Sequence, residues 1–169
     1  MNSKFEIQTQ QKLNWCWAAV AATVSNYFFP NQAVQQCQIA KNILGIDCCT
    51  DPDPEACDAQ AELQTALAAI PKLVGNSLNV NTLQNEPLSF DAVRKQIDAG
   101  LPVCARIQWF GENRSHFVII SGYSISQSNV PWVDISDPYY EDSTIPYQHF
   151  VSAYLDAGTW RETYLVAQK

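Results

Sequence analysis

A cysteine stands between two tryptophans at the start of an apolar, alanine-rich segment, in the stretch NWCWAAVAATVSNYFF. Such a cysteine can be a buried apolar side chain, half of a disulfide, or a nucleophile. Nucleophilic attack requires the thiolate, and the unpaired N–H groups of a helix N-terminus favour that anion. Cys16 is therefore our candidate for covalent chemistry, which also requires a base and a group that stabilises an oxyanion.

The chain contains only two histidines, so the candidates for the base can be compared directly. His116 opens the apolar run HFVIISGY after the polar loop FGENRS, where its ring can stand at a sheet edge and face a cleft. His149 lies in YQHFVSAY, a predicted amphipathic helix, and we interpret it as a surface side chain. Asp137 ends the next predicted strand, in VDISDP, and is the candidate to orient the His116 ring. A satisfied core histidine and a turn-forming Asp-Pro pair are the alternative interpretations.

Helical patterns occupy most of the first 100 residues. Asn14 is the predicted N-cap of a helix that is apolar nearly all round, which is typical of a buried central helix. Gly45 and Pro71 are the predicted stops of the second and third helices, and Ser89 is the predicted cap of the fourth. Residues 72–88 are predicted to be irregular. The four predicted helices cover residues 15–29, 33–44, 58–70 and 90–99.

After residue 100 the apolar pattern changes to a period of two or to continuous apolar runs, which indicates strands. Four strands are predicted, in LPVCARIQW, HFVIISGY, VPWVDIS and TYLVAQ, with a short helix over 147–155 before the last. Helices followed by an antiparallel sheet make an α+β fold, and a ligand cleft is expected at the seam between them. Cys104 lies inside the first strand and is interpreted as a buried apolar thiol.

Composition argues against several classes of protein. The chain has 169 residues and a formal net charge of -7, so it lacks the basic surface that a nucleic-acid partner requires. No apolar run approaches the roughly 20 residues of a membrane span, and MNSKFEIQTQQ has no signal-peptide core. No CxxC pair or glycine-rich phosphate loop occurs, so we expect no metal and no other cofactor. The expectation is one soluble domain over residues 1–169, present as a monomer.

Four of the six cysteines lie in a segment rich in proline and aspartate with little periodicity. Because this segment cannot build its own core, we predict that two disulfides hold it, and such bridges favour a secreted protein or a delivered effector. Adjacent cysteines rarely bond to each other. Two connectivities follow, Cys37–Cys48 with Cys49–Cys57, or Cys37–Cys49 with Cys48–Cys57. Four reduced thiols in a cytosolic protein are the alternative.

Together these pieces resemble a known family. Gln10 with NWCWAA, then SHFVIISGY, then DISDP are similar in order and spacing to the papain-like cysteine peptidases, and within them to the compact bacterial group that includes the C39-like enzymes. The resemblance covers most of the chain. It implies a papain-like α+β fold, with an N-terminal helical lobe over 1–100 packed on a C-terminal antiparallel β-sheet lobe over 101–169 and the active-site cleft between them.

The resemblance also implies a role for each candidate residue. Cys16 matches the nucleophile, and His116 matches the general base that later protonates the leaving amine. Asp137 matches the residue that orients His116; many papain relatives carry Asn there, and the charge of Asp favours the imidazolium. Gln10 matches the residue whose side-chain amide completes an oxyanion hole beside the Cys16 N–H. Gln11 is an adjacent competitor for that role.

The function implied is hydrolysis of a peptide bond in a peptide or protein substrate through a thioester acyl-enzyme. The same triad could instead serve acyl transfer, deamidation or peptide cyclisation, and a non-catalytic papain-fold binding module is the third alternative. Trp15, Trp17 and Trp109 are the candidate substrate-binding residues, and Trp15 and Trp17 are expected to form the cleft floor and the packing behind it. Further aromatic candidates for subsites are Phe110, Trp132, Tyr139 and Tyr140.

Overall fold

The computed structural model of the protein describes residues 5–51 and 53–169. Helices dominate its first half and strands its second, as the apolar patterns predict. The helices are α1 (Cys16–Phe28), α2 (Gln36–Leu44), a 3₁₀ turn (Glu55–Cys57), α3 (Leu63–Val74), α4 (Phe90–Asp98) and α5 (Tyr147–Ala153). The strands are β1 (Leu78–Leu83), β2 (Val103–Trp109), β3 (Ser115–Ile125), β4 (Pro131–Ser136), β5 (Ser143–Pro146) and β6 (Gly158–Gln168).

The six strands form one antiparallel sheet in the order β1-β6-β2-β3-β4-β5. One face of the sheet packs on α1 and α3, through side chains such as Phe117 and Ile119, and α2 packs on these two helices. The other face packs on α4 and α5, through side chains such as Val118 and Ile120. Because neighbouring residues of a strand point to opposite faces, the continuous apolar run in β3 supplies both cores.

Helix α1 is the centre of the first core. Every side chain from Cys16 to Ser25 is buried, which confirms the prediction of a buried central helix. The predicted N-cap is wrong: Trp15 occupies the cap position without a side-chain cap bond, and the Asn14 side chain instead donates to the backbone oxygen of Asp58 at 3.2 Å. A long-range partner therefore replaces the local cap.

Two helices differ from the sequence prediction. Helix α3 starts later than predicted and continues through Pro71 to Val74, because Ile70 and Val74 are buried in the core and the proline removes only one late helical hydrogen bond. Helix α2 begins at Gln36, three residues later than predicted. Gln35 occupies its N-cap position, and the Gln35 backbone N–H donates to Gln38 Oε1 at 2.8 Å.

Strands β1 and β5 are missing from the prediction, and β1 lies within the supposedly irregular residues 72–88. In β1, Leu78 and Val80 alternate with Asn79 and Asn81, and asparagine is disfavoured in strands. Its strand conformation is provided by pairing with β6 at the sheet edge. None of the helices formed by residues 5–51 and 53–169 has the length and apolarity that crossing a membrane requires.

Candidate active site

The Cys16 thiol lies at the N-terminal end of α1, where the helix meets the sheet. Cys16 is the first residue of the helix, is 8% exposed, and forms no disulfide. Its own N–H has no intrahelical acceptor, as for every residue in the first turn of a helix. A thiolate here, and an oxyanion beside it, would face the positive end of the α1 dipole.

Cys104 shows the opposite environment. It is fully buried in β2, and burial raises the pKa of its thiol to about 12. The interpretation of Cys104 as an inert apolar thiol is confirmed, and of the two free cysteines only Cys16 reaches the cleft.

His116 stands at the start of β3, with its ring between Asp137 and the Cys16 thiol. Nε2 lies 2.8 Å from Asp137 Oδ1, just beyond the end of β4, and Cys16 is close enough to raise the pKa of the ring. Because Nε2 is occupied by the aspartate, Nδ1 is the atom that serves the sulfur. The three residues predicted from the sequence therefore meet in one row, thiol to imidazole to carboxylate.

Electrostatics in this row favour the imidazolium. Burial lowers the pKa of His116, but hydrogen bonds to Asp137 and Cys16 and the charges of both outweigh it and raise the pKa to about 9. Burial likewise raises the pKa of Asp137, and the hydrogen bond and charge of His116, with backbone N–H groups from Tyr140 and Tyr139, bring it below its usual value. The arrangement is that of a proton-carrying ring held between a carboxylate and a thiol.

Tyr154 completes the environment of Asp137, and sequence reasoning missed it. Its hydroxyl donates to Asp137 Oδ2 at 2.7 Å, and the residue is buried directly after α5. The other carboxylate oxygen accepts the N–H groups of Tyr139 and Tyr140 at 2.8 and 2.9 Å, besides the bond to His116. A tyrosine at the end of a short helix carries no sequence signal for this role, because the contact depends on how α5 packs on the sheet.

Trp109, predicted to line a subsite, covers the His116 ring. The two rings are stacked with centroids 5.7 Å apart, and Tyr140 meets the same imidazole edge-on at 5.7 Å. Gly158 on the neighbouring strand leaves space for this tryptophan, since a Cβ there would lie 2.7 Å from Trp109 Cε3. The aromatic cover shields the His116–Asp137 bond from water.

The predicted oxyanion donor lies in the cleft, but its amide is occupied. Gln10 Nε2 donates to the carbonyl oxygens of Lys12 and Leu13 at 2.9 and 2.7 Å, while its buried Oε1 has no hydrogen-bond partner among the described residues. One of these bonds has to open before the amide can serve an oxyanion. Gln11 is exposed, does not line the cleft, and uses its backbone N–H to bind Gln36 Oε1 at 3.0 Å.

Two disulfides hold the loop beside the site, with the second of the two predicted connectivities. Cys37 bonds to Cys49 and Cys48 bonds to Cys57, the latter bridge being buried. The first connectivity is therefore excluded, as are four reduced thiols.

The segment that begins at Cys57 forms hydrogen bonds with the residues at the start of α1. The backbone oxygen of Cys57 accepts the Trp15 indole N–H at 2.6 Å, and that of Ala59 accepts the Trp17 indole N–H at 3.0 Å. Between them, Asp58 Oδ1 accepts the backbone N–H of Asn14 at 2.8 Å. These contacts hold the residues on both sides of Cys16. The buried bridge at Cys57 therefore anchors the segment that positions the thiol.

A cleft of about 900 Å³ opens above these residues. Of the residues predicted from the sequence, those that line it are Gln10, Cys16, Trp17, Trp109, Phe110, His116, Tyr139 and Tyr140. Trp15 is buried behind the site, Trp132 lies elsewhere on β4, and Asp137 lies beneath His116. Trp15 thus supplies packing and Trp17 part of the wall, and the subsite prediction for Trp132 is wrong.

Comparison with known proteins agrees with this arrangement. The model of the Peptidase_C39 like family matches residues 2–166. The chain belongs to this family. No curated protein sequence matches the chain.

Solved structures share the fold of this C39-like family member. A protein from Bacillus anthracis described as a C39-like peptidase has a TM-score of 0.61 at 17% identity, over 100% of this chain and 98% of that one. Amb a 11, a ragweed pollen cysteine protease in its proform, has a TM-score of 0.56 at 14% identity, over 95% of this chain and 61% of that one. These likenesses confirm the α+β fold predicted from the resemblance.

The His116 environment predicts an unusually high titration midpoint. Because both neighbours favour the protonated ring, we expect imidazolium below pH about 9 and neutral imidazole above it. Asn in place of Asp137 removes one of the two charges, so the midpoint should fall. NMR titration of the imidazole signals measures this, with His149→Gln identifying the signal of His116. Asp134→Asn, a second β4 aspartate, whose Oδ1 accepts the Thr144 hydroxyl at 2.7 Å, is the control. An unchanged midpoint in Asp137→Asn would contradict the electrostatic assignment.

The two disulfides should differ in their effect on Cys16. Their sequence separations are 9 and 12, so replacing either pair by alanine should cost a similar free energy of unfolding, about 3 kcal/mol in the chain-entropy model. Only loss of Cys48–Cys57 frees the segment that holds Trp15 and Trp17. We expect that variant to be alkylated at Cys16 about tenfold more slowly.

The rate of alkylation by iodoacetamide is to be measured at a temperature where both double variants are folded by circular dichroism. The Cys37→Ala, Cys49→Ala protein is the matched control. Equal rates in the two variants would show that the buried bridge has no special relation to the thiol.

Proposed function

We propose that this C39-like protein is a cysteine peptidase that hydrolyses a peptide bond through a thioester on Cys16. The observation that carries the proposal is the buried pair in which the His116 ring bonds to Asp137 at 2.8 Å, at the cleft that the Cys16 thiol also lines. Together the three residues supply a nucleophile, a proton carrier and a group that orients the carrier. Their place along a cleft lined by exposed side chains fits an extended peptide substrate.

The first half of the reaction forms the acyl-enzyme. The Cys16 thiolate attacks the carbonyl carbon of the scissile bond, and the carbonyl oxygen becomes an oxyanion that accepts the Cys16 N–H. The His116 imidazolium then gives its Nδ1 proton to the leaving nitrogen as the carbon–nitrogen bond breaks. The amine departs, and the acyl group remains on sulfur as a thioester.

The second half restores the enzyme. Neutral His116 takes a proton from water, the resulting hydroxide attacks the thioester carbon, and the carbon–sulfur bond breaks to release the acid and Cys16 thiolate. Throughout, Asp137 holds the ring so that Nδ1 keeps facing the sulfur. Gln10 is proposed to add a second oxyanion donor once its amide exchanges one backbone carbonyl for the substrate oxygen.

The test begins with the thiol. An ordinary thiol, with a pKa of about 8.5, is only about 0.1% thiolate at about pH 5.5, so fast alkylation there requires activation by the site. We expect iodoacetamide to label Cys16 quickly and to leave buried Cys104 unlabelled, which intact mass and peptide mapping measure. His116→Ala should slow the labelling of Cys16. Absence of fast labelling in the unmutated protein would overturn the proposal.

Cleavage of a peptide library then tests the reaction itself, with the products identified by mass. Hydrolysis adds one water across the broken bond, whereas acyl transfer would give a new amide. Cys16→Ala should abolish product, and an acylated protein should be trapped on rapid acid quench with an ester substrate. If the Cys16→Ala protein formed as much product as the unmutated protein, this cysteine would be excluded as the nucleophile.

The role of Gln10 predicts a separation between thiol reactivity and turnover. Gln10→Ala should leave alkylation of Cys16 largely intact, because the ion pair does not involve the amide. Turnover should fall about 10²–10³-fold, the usual effect of losing one oxyanion donor. Gln11→Ala is the matched control, since its side chain lies outside the cleft. Equal loss of alkylation and turnover in Gln10→Ala would contradict the assigned role.

A further inference from the structure

Large apolar side chains are exposed mainly along one cleft. The structure describes eight such residues, and five of them line the cleft that contains Cys16, namely Leu13, Phe110, Tyr139, Tyr140 and Leu155. The other three, Leu73, Ile125 and Val130, do not line it. A cluster of exposed apolar side chains at a site marks an interaction surface, whereas single ones do not.

Four of the five, Phe110, Tyr139, Tyr140 and Leu155, lie on the His116 side of the cleft. Tyr140 contacts the His116 ring, and Tyr139 packs edge-on against Tyr140 with centroids 4.7 Å apart. Phe110 directly follows Trp109, which stacks on the same imidazole.

A backbone bond brings Leu155 to the same wall. The Phe110 N–H donates to the oxygen of Ala157 at 2.7 Å, which places Phe110 beside the turn that carries Leu155. Leu13 lies on a segment between the two sides of the cleft, because the Gln10 N–H donates to the oxygen of Pro138 at 2.9 Å and the Asn14 N–H donates to Asp58 Oδ1 at 2.8 Å.

The opposite wall has a different character. It is formed by Gln60, Ala61 and Glu62, which follow the segment that bonds to Asn14 and Trp17. None of these three side chains is a large apolar one. Among the charged residues around the apolar wall, Arg114 pairs with Glu112 at 3.0 Å, and Asp156 Oδ1 lies 3.3 Å from His149 Nε2.

The direction of the reaction assigns the two walls to two parts of a substrate. The leaving nitrogen takes its proton from His116, so the residues on the amine side of the scissile bond extend over the His116 wall. The acyl side extends the other way, over residues 60–62. An unpaired charge would find no partner on the apolar wall, while an apolar side chain would lose water-exposed surface there.

We propose, on the basis of the function proposed above, that the enzyme selects peptides carrying a large apolar or aromatic residue immediately C-terminal to the scissile bond. Phe110, Tyr139 and Leu155 form the surface that receives this side chain.

Partition of the acyl-enzyme tests this directly. An N-acylated amino-acid methyl ester forms the thioester without any residue on the amine side. Added amino-acid amides then compete with water: the amine nitrogen attacks the thioester carbon, the carbon–sulfur bond breaks, and the amine proton passes to His116. The ratio of the new amide product to the acid product measures how well the added amino-acid amide binds on the His116 wall. The rate of acylation does not affect this ratio, because both products form from the same thioester.

We expect leucinamide and phenylalaninamide to be captured about tenfold better than glycinamide at equal free-amine concentration, as one buried apolar side chain would provide. Aspartic acid diamide, which is uncharged and polar, should resemble glycinamide. Phe110→Ser and Leu155→Ser should each reduce the preference severalfold. Ile125→Ser and Val130→Ser, exposed apolar residues outside the cleft, are the matched controls and should retain it.

The outcomes separate the two proposals. If the ester is not hydrolysed, or is hydrolysed by Cys16→Ala, the peptidase proposal fails. If the ester is hydrolysed through Cys16 but all amides are captured equally, or the preference survives Phe110→Ser and Leu155→Ser, only the selection proposed here is wrong.

Discussion

The buried carboxylate of Asp137 is the constraint on which the site depends. An ionised carboxylate inside a protein is costly unless charges and hydrogen bonds compensate it, and four donors do so here. They come from His116 at the start of β3, from the backbone of Tyr139 and Tyr140 after β4, and from Tyr154 after α5. The hydrogen bonds that compensate the Asp137 charge therefore align two strands and a helix. They also fix the His116 ring so that Nδ1, which faces Cys16, is not used by the aspartate.

A second anchor, formed by the disulfide-held loop, fixes the thiol. The segment that begins at Cys57 bonds to both tryptophans that flank Cys16, and the buried Cys48–Cys57 bridge ties that segment to the loop before it. Because Cys16–Ser25 of α1 are buried between the other helices and β3, the helix cannot shift to meet His116. The thiol and the imidazole are thus positioned by different sets of contacts on the two sides of the cleft.

Local patterns were sufficient for some elements and misleading for others. A fully apolar helix at Cys16 and an apolar β3 at His116 were predicted correctly because burial on all sides needs no knowledge of the neighbours. Pro71 was read as a stop, but tertiary packing of Ile70 and Val74 offsets the lost hydrogen bond. The strand β1 was missed because its asparagines argue against a strand, and only pairing with β6 makes that conformation favourable.

The sequence by itself determined the fold class, the candidate residues Cys16, His116 and Asp137, and the need for two bridges, because each depends on residue type, order and local periodicity. Tertiary structure alone decided which cysteines pair, that Tyr154 and Trp109 surround the His116–Asp137 pair, and that Gln10 holds backbone carbonyls. It also decided that five of the eight exposed large apolar side chains of the described residues line one cleft. These are contacts between residues distant in the chain, and no local pattern encodes the packing that brings them together.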